Sequence, residues 1–294
     1  MKNFKGIIYA ALSSSTFGLA PLFSILLLSD GFSSFEVLSY RWGVASLTLG
    51  IIGLAGGCRF RISRQELCTV FFLSLFRAAT SLSLVIAYQN ISSGVASIIH
   101  FMYPLAVALA MMCFFREKGS VWVFAAIGMS IVGAVLLSLG NVDFTRGNTT
   151  LGMVSAAVSV VSYGGYIVGV RKSRAVGIDS TVLTCYVMGL GALYFIAGGL
   201  VTGGIRIETD GTAWLCILGV ALPATAVSNM TLVQAIKRIG PTLTSVFGAL
   251  EPLTAVVIGV AVFGEPFTVQ GAAGILLIVA AVTIVILHSG RRKA

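Results

Sequence analysis

ISSGVASIIHFMYPLAVALAMMCFFREK (residues 91–118) aligns with IGPTLTSVFGALEPLTAVVIGVAVFGEP (residues 239–266) at an offset of 148 residues. This match decides the fold. Four identities carry the match: Ser97 with Ser245, Pro104 with Pro252, Phe115 with Phe263, and Glu117 with Glu265. An offset of 146 residues places Gly6 on Gly152 and Gly18 on Gly164. Both offsets are close to half of the 294 residues, which indicates two copies of one unit.

The composition identifies the surroundings of these two copies. Hydrophobic residues make up 57% of the chain and charged residues 10%, with a mean hydropathy of +1.01. Soluble domains carry about 25% charged residues. A chain with so little charge cannot cover a surface that faces water, so we predict an all-α integral membrane protein in the lipid bilayer.

Ten apolar runs are long enough to cross a bilayer, which takes about 20 residues per helix. Their approximate limits are 6–28, 34–56, 66–89, 91–115, 119–140, 149–170, 178–202, 211–235, 239–263 and 267–288. The first run stays uncharged from Lys5 to Asp30. It therefore exceeds the roughly 7–15 residues of a signal-peptide core, and we predict a first spanning helix that is retained.

The basic residues predict the orientation of these spans. Fifteen of the nineteen lie at the chain ends or in loops on the N-terminal side of the membrane, while only Arg146 and Arg206 lie in loops on the other side. Lysine and arginine collect on the cytoplasmic side, so both termini are predicted to be cytoplasmic. Because the charges are spread over every second loop, the net charge of +9 does not indicate a nucleic-acid partner.

Each copy holds five spans, over residues 6–140 and 149–288. Because five is an odd number, the second copy enters the membrane in the opposite orientation to the first. Inverted repeats of this kind are a transporter architecture, in which two similar halves exchange conformations. We therefore predict ten transmembrane helices in two inverted five-helix repeats.

Short motifs, some in the first half and some in the second, carry a resemblance to a known family. They are Ser39-Tyr40-Arg41, Ala87-Tyr88 followed by SSGVA at 92–96, Leu250-Glu251-Pro252, and Phe263-Gly264-Glu265 with Gly274 beyond it. With these motifs, each half resembles an EamA domain of the drug/metabolite transporter superfamily, from about Gly6 to Leu287. Two positions depart from the pattern: Phe17-Gly18 stands where Trp-Gly is common, and Arg116 replaces the glycine usual before Glu117.

The resemblance implies export of small metabolites, amino acids among them. It also implies a cavity enclosed by the first four helices of each half, with the fifth and tenth spans packed at the periphery.

Four ionisable residues lie inside the predicted spans and at a similar depth. At 1.5 Å per residue, Arg41, Arg77, His100 and Glu251 lie about 10–14 Å below the outer face. Each charge at mid-bilayer costs about 2.5–3.5 kcal/mol, and such groups face one another or a wet cavity. We expect Glu251 to pair with Arg41 or Arg77 beside a central cavity. The excess of positive groups favours a substrate with a carboxylate or another anionic group.

Each of these residues has a structural alternative. Arg41 is the shallowest and could extend to the outer headgroups, whereas Arg77 is deeper and favours the cavity. Glu251 fits a purely structural ion pair as well as substrate gating. His100 fits a packing role or proton transfer.

Three tyrosines and two prolines complete the candidate residues. Tyr103, Tyr163 and Tyr166 fit either ordinary packing or contact with a substrate. Pro104 and Pro252 are expected to bend equivalent helices, because proline removes one backbone hydrogen bond.

Several functional classes find no support in the sequence. A phosphate-binding loop, a zinc-protease motif and a dinucleotide fingerprint are all missing from it, so we predict no cofactor and no enzymatic activity. The five cysteines contain no C-x-x-C pair and predict neither a disulfide framework nor a metal site. The oligomeric state is left open.

The favoured interpretation is a secondary transporter of the cytoplasmic (inner) membrane that exports small metabolites by alternating access. Amino acids and related anionic or zwitterionic solutes are the expected substrates. The alternative is a non-transporting membrane protein, such as a sensor or an assembly factor, which would keep the repeat without a hydrated path.

Overall fold

The computed structural model describes residues 2–138, 147–263 and 268–291, and every regular element within these ranges is helical. The α-helices of this part of the chain are α1 Lys2–Phe17, α2 Ala20–Ser29, α3 Ser34–Ala55, α4 Arg64–Asn90, α5 Ser93–His100, α6 Tyr103–Phe115, α7 Val121–Ser138, α8 Thr149–Lys172, α9 Ser180–Thr202, α10 Gly211–Ala221, α11 Ser228–Ile239, α12 Pro241–Val246, α13 Leu250–Phe263 and α14 Val269–Arg291. Some residues of the sequence analysis lie outside the described ranges: Arg146 and Glu265 in loops, the basic residues Arg292 and Lys293, and the predicted end of the first repeat at 139–140.

Eight helical segments in the described ranges have the length and apolar composition of a membrane span. A further segment, Val121–Leu137, is apolar but shorter. The predicted span 239–263 is not one helix, because it runs as α12, a 3-10 turn and α13. The protein is therefore a multi-pass membrane protein with eight clear spans in the described residues, and the count of ten stays a prediction.

Four of the predicted spans are interrupted, which the apolar pattern did not predict. α1 gives way to α2 at Gly18-Leu19, and α5 gives way to α6 at Phe101-Met102. A π-helical segment, Leu222–Val227, separates α10 from α11, and a 3-10 turn, Phe247–Ala249, separates α12 from α13. A proline lies within three residues of each interruption. Proline favours such breaks because it cannot donate a backbone hydrogen bond and disfavours the helical conformation in the residue before it.

The two halves of the chain pack against each other through reciprocal helix pairs. α1 packs on α11 and α4 packs on α8, so the first span of each half contacts the third span of the other. α3 packs along α9, and α7 packs along α14. The most extensive contacts therefore cross between the halves, and the main core forms at this junction, where it includes Trp42, Tyr103 and Tyr163.

Local capping fixes where the helices of this junction begin. Ser33 and Glu36 form a capping box at the start of α3, and Ser63 and Glu66 form another at the start of α4. Such reciprocal bonds satisfy two of the backbone N–H groups that a helix start leaves free. They set the register in which the polar residues of α3 and α4 enter the membrane.

Candidate functional site

Two guanidinium groups lie buried at the junction of the halves and are linked through the eighth predicted span. Arg41 Nε on α3 donates to Thr225 Oγ1 at 2.6 Å, and Arg77 Nε on α4 donates to Asn229 Oδ1 at 2.8 Å. Asn229 Nδ2 in turn donates to the Thr225 carbonyl at 2.8 Å. Thr225 lies in the π-helical segment, a kind of irregularity that is frequent at functional sites.

Aromatic rings surround the guanidinium of Arg77. Its Cζ lies 5.3 Å from the ring centroid of Phe17, 5.1 Å from that of Tyr163, and 6.0 Å from those of Trp42 and Tyr166. Phe17 also lies 5.8 Å from Arg41 Cζ, so one ring contacts both cations. A cation near aromatic faces is stabilised by the ring quadrupoles, which helps to hold this charge away from water.

Glu251 forms a hydrogen bond instead of the expected ion pair. Tyr103 Oη donates to Glu251 Oε1 at 3.2 Å. The prediction that Glu251 pairs with Arg41 or Arg77 is wrong for the described residues, since the ion pairs found there involve only Arg206. The guanidinium groups instead donate to Thr225, Asn229 and Ser81, and one Nη of Arg41 stays without a partner.

Two glycines allow the backbone to approach Tyr103 and the main chain of Glu251 closely. A Cβ atom on Gly248 would overlap the phenol oxygen of Tyr103. A Cβ atom on Gly18 would lie 2.6 Å from the carbonyl oxygen of Glu251 and 2.8 Å from Thr254 Cβ. Glycine at these positions therefore lets α1 and the 3-10 turn press against the Tyr103–Glu251 pair.

His100 extends the polar cluster toward the second half of the chain. Its Nδ1 forms a 2.8 Å hydrogen bond with Ser159 Oγ on α8. Its ring lies 5.3 Å from the ring centroids of both Tyr103 and Tyr163, and those two tyrosines contact each other edge to face at 4.6 Å. Tyr163 thereby lies between the guanidinium of Arg77 and the Tyr103–Glu251 pair.

The cluster is closed to its surroundings yet incompletely paired. Exposure is 4% for Arg41, 1% for Arg77, 4% for His100 and 9% for Glu251. Four polar atoms of the cluster are buried without a hydrogen-bond partner: an Nη of Arg41, Trp42 Nε1, His100 Nε2 and Tyr166 Oη. Unpaired buried polar atoms are rare in proteins and call for an explanation.

A small cavity of about 30 Å³ adjoins Glu251. Its polar lining comes from Tyr88, Ser97, His100 and Glu251, and Phe17 and Pro252 form part of its apolar lining. Such a volume holds about two water molecules. The cavity is far smaller than the roughly 300–1,000 Å³ of small-molecule sites, so binding a metabolite here requires the helices to separate.

All seven residues predicted to bind or gate a substrate lie in this one cluster. Arg41 is buried inside the bundle and does not extend to the headgroups. Pro104 and Pro252 each lie in the first turn of a helix that follows an interruption, in α6 and α13.

Several members of the cluster were not predicted. Thr225, Asn229 and Ser159 are neutral polar residues within apolar spans, and each has further serine or threonine residues nearby in the sequence, so no sequence signal singled them out. Phe17 was noted only as a departure from Trp-Gly, and Trp42 directly follows Arg41 in the sequence. Within the described ranges, no group of three or more His, Cys, Asp or Glu residues is arranged to hold a metal ion.

Comparison with known proteins finds the same family in both halves of the chain. The profile of the EamA-like transporter family matches residues 4–139 and again residues 150–287. An uncharacterized transporter of Archaeoglobus fulgidus is 24% identical over 238 residues, which cover 81% of this chain and 83% of that protein. The uncharacterized transporter YojE of Bacillus subtilis is 25% identical over 282 residues, 90% of this chain and 87% of its own.

Two further similarities extend the comparison. The uncharacterized inner membrane transporter YicL of Salmonella typhimurium is 21% identical over 243 residues, 78% of this chain and 76% of its own. One solved crystal structure superposes with a TM-score of 0.80 at 18% identity, covering 100% of this chain and 99% of the other. At that identity the similarity shows the fold alone.

Proposed function

The chain belongs to the EamA-like transporter family, and from that premise we propose that it exports small metabolites across the cytoplasmic membrane by alternating access. The proposed substrates carry a carboxylate, as amino acids and related anionic or zwitterionic solutes do. The observation that carries the proposal is the buried cluster around Arg77, which lies between the two halves of the chain.

The chemistry of the cluster supports an anionic substrate group. Two guanidinium groups face a single carboxylate, and an Nη of Arg41 and Trp42 Nε1 are buried donors without an acceptor. A carboxylate supplies the acceptors that such donors need, and arginine binds it with paired, charge-assisted hydrogen bonds. In this proposal Glu251, whose bonded partner Tyr103 contacts Tyr163, accepts a hydrogen bond from the ammonium group of a zwitterion.

The packing of the helices supports alternating access. Residues 6–140 and 149–288 contribute equivalent helices to the junction, and the pairs α1–α11 and α4–α8 are reciprocal. Two halves related in this way can exchange conformations about a fixed central site. The cluster is nearly sealed, and in the proposed cycle this arrangement is the closed state between the two open ones.

In the proposed cycle, Tyr103 and Glu251 form a contact between the halves that breaks and re-forms. They come from different halves, α6 and α13, and their hydrogen bond crosses the junction. Separation of the halves breaks this bond and exposes the carboxylate and the guanidinium groups to the side that opens. The substrate then replaces the lost partners, so that binding and closure stabilise each other.

The topology belongs to the same proposal. Ten spans with both termini in the cytoplasm place the side of the membrane that holds fifteen basic residues inside the cell. The similar protein YicL is named as an inner membrane transporter, which is consistent with this location.

Transport by purified protein in proteoliposomes tests the proposal. Labelled amino acids and simple carboxylates, such as lactate and succinate, are offered in turn, and uptake is compared with that of empty vesicles. We expect Arg77→Gln to abolish carboxylate transport, while Arg59→Gln, which removes the same charge from an exposed loop residue, leaves it unchanged. If these solutes bind the protein and raise its melting temperature but none crosses the membrane, the result would support the non-transporting alternative.

A further inference from the structure

Two tyrosines form equivalent hydrogen bonds that join a helix of one half to a loop of the other half. Tyr40 Oη on α3 donates to the carbonyl oxygen of Arg206 at 2.6 Å. Tyr186 Oη on α9 donates to the carbonyl oxygen of Phe60 at 2.6 Å. In each case the second span of one half bonds to the loop between the second and third spans of the other half.

The two bonds are related by the internal repeat. α3 begins at Ser34 and α9 begins at Ser180, an offset of 146 residues. The same offset takes Tyr40 to Tyr186 and Phe60 to Arg206, so each bond is the copy of the other. Because the repeats are inverted in the proposed topology, the two bonds lie at opposite ends of the bundle.

The side chains around these bonds differ at the two ends. Arg206 Nε lies 3.5 Å from a carboxylate oxygen of Glu208 and 4.0 Å from one of Glu36. At the same offset, Glu36, Arg206 and Glu208 correspond to Val182, Phe60 and Ile62. Those three residues are apolar and pack against the main core. At these equivalent positions, one end thus has charged side chains and the other has apolar ones.

Further contacts hold the charged end together. The Arg206 backbone N–H donates to Glu36 Oε1 at 3.0 Å, and the Arg206 guanidinium lies 3.6 Å from the ring centroid of Phe32. Trp214 Nε1, on α10, donates to the Glu208 carbonyl at 3.1 Å. We call Glu36, Arg206 and Glu208 the ionic latch. It joins the start of α3 to the start of α10.

The ionic latch and the central cluster share the same two segments of chain. Tyr40 lies at the latch, and Arg41, the next residue, donates to Thr225 in the π-helical segment that continues α10. Movement of α10 away from α3 would therefore break the latch and the Arg41–Thr225 bond together. The same movement would uncover an Nη of Arg41 that is buried here without a partner.

We infer that the ionic latch keeps the central cluster closed on the Arg206 side, so that removing its charge opens this end alone. The inference rests on the proposed transport function, in which this end faces outside. It makes Arg206 and Glu208 positioning residues that act on substrate access without touching the substrate. At the opposite end Phe60 and Ile62 take the places of Arg206 and Glu208, so removing charge at the latch is expected to leave that end closed.

Labelling of a cysteine in the small central cavity tests the inference without a substrate. The five native cysteines are replaced by alanine, Ser97→Cys is added as the reporter, and the membrane-impermeant thiol reagent MTSET is applied to vesicles of either orientation. We expect Arg206→Gln to raise the labelling rate about threefold from the Arg206 side only. Sodium chloride at about 1 M, which shortens the screening length to about 3 Å, should do the same to the parent but not to Arg206→Gln.

Arg61→Gln is the matched control, because it removes one exposed positive charge from the loop next to Phe60. Labelling in this variant should equal that of the parent. Glu208→Gln provides a second test if Arg206→Gln does not fold, as judged by gel filtration and melting temperature. Equal labelling of parent and latch variants, with or without salt, would overturn the inference.

Transport assays separate this inference from the proposed function. If the latch variants change labelling as expected while no solute crosses the membrane, the latch stands and the transport proposal fails. If transport is measured but labelling does not respond to the latch, the transport proposal stands and the latch fails.

Discussion

The Tyr103 phenol donates a 3.2 Å hydrogen bond to Glu251, a residue 148 positions away along the chain. That separation equals the offset that places Pro104 on Pro252, so Tyr103 and Glu251 occupy equivalent positions in the two halves. In the proposed inverted-repeat arrangement, two equivalent residues can touch only where the axis relating the halves passes between them. The sole carboxylate of the cluster therefore lies next to that axis, where movement of either half reaches it.

Removing the phenol hydroxyl should weaken this junction. Tyr103→Phe takes away the donor to Glu251 and leaves a buried carboxyl group without its partner, which costs about 1–3 kcal/mol. Thermal unfolding in detergent, followed by tryptophan fluorescence, measures the loss. Tyr166→Phe is the control, since its hydroxyl has no hydrogen-bond partner, and equal losses in the two variants would contradict the assigned bond.

Asn229 is predicted to stabilise the buried Arg77. Asn229→Ala removes the acceptor for Arg77 Nε, and hydrogen bonds to charged groups are worth about 1.5–3 kcal/mol. Asn229→Asp keeps an acceptor oxygen and adds an opposite charge, so it should retain most of the stability. Melting temperatures of the two variants decide the matter, and an alanine variant as stable as the aspartate variant would show that Arg77 does not depend on this oxygen.

Gly248 is predicted to tolerate no side chain while Tyr103 is present. Gly248→Ala places a methyl group on the phenol oxygen, and overpacking of this kind costs about 1–3 kcal/mol. Because Tyr103→Phe removes the overlapping oxygen, the double variant should lose less stability than the two single losses added together. A double-mutant cycle of unfolding free energies measures this coupling, and strict additivity would argue against the overlap.

Arg116 carries a local backbone strain that glycine should relieve. It ends α6 in the left-handed conformation, with φ 52°, and it alone among the described non-glycine residues has a positive φ. Arg116→Gly should stabilise the protein by about 1 kcal/mol, because glycine adopts this conformation without steric cost. Lys118→Gly, close by but outside such a conformation, should give no gain; a destabilised Arg116→Gly would mean that the arginine side chain makes a compensating contact.

Much of the candidate site could be predicted from the sequence, for reasons visible in particular residues. Arg41, Arg77, His100 and Glu251 are conspicuous because charge within an apolar span is costly and is kept only where it is sheltered. Asn229 and Thr225 escaped notice because neutral polar residues are common in helices and carry no comparable cost. Their role depends on which guanidinium lies opposite them.

The sequence by itself determined the membrane environment, the two matching halves and the layer of polar residues, because composition, apolar run length and internal offset are properties of the chain alone. Only the tertiary structure decided that Arg77 bonds to Asn229, that Glu251 bonds to Tyr103, and that the helices break beside the cluster. Partners of this kind depend on how helices far apart in the sequence cross and rotate against each other. That arrangement follows from side-chain packing across the junction, which no single segment of the chain contains.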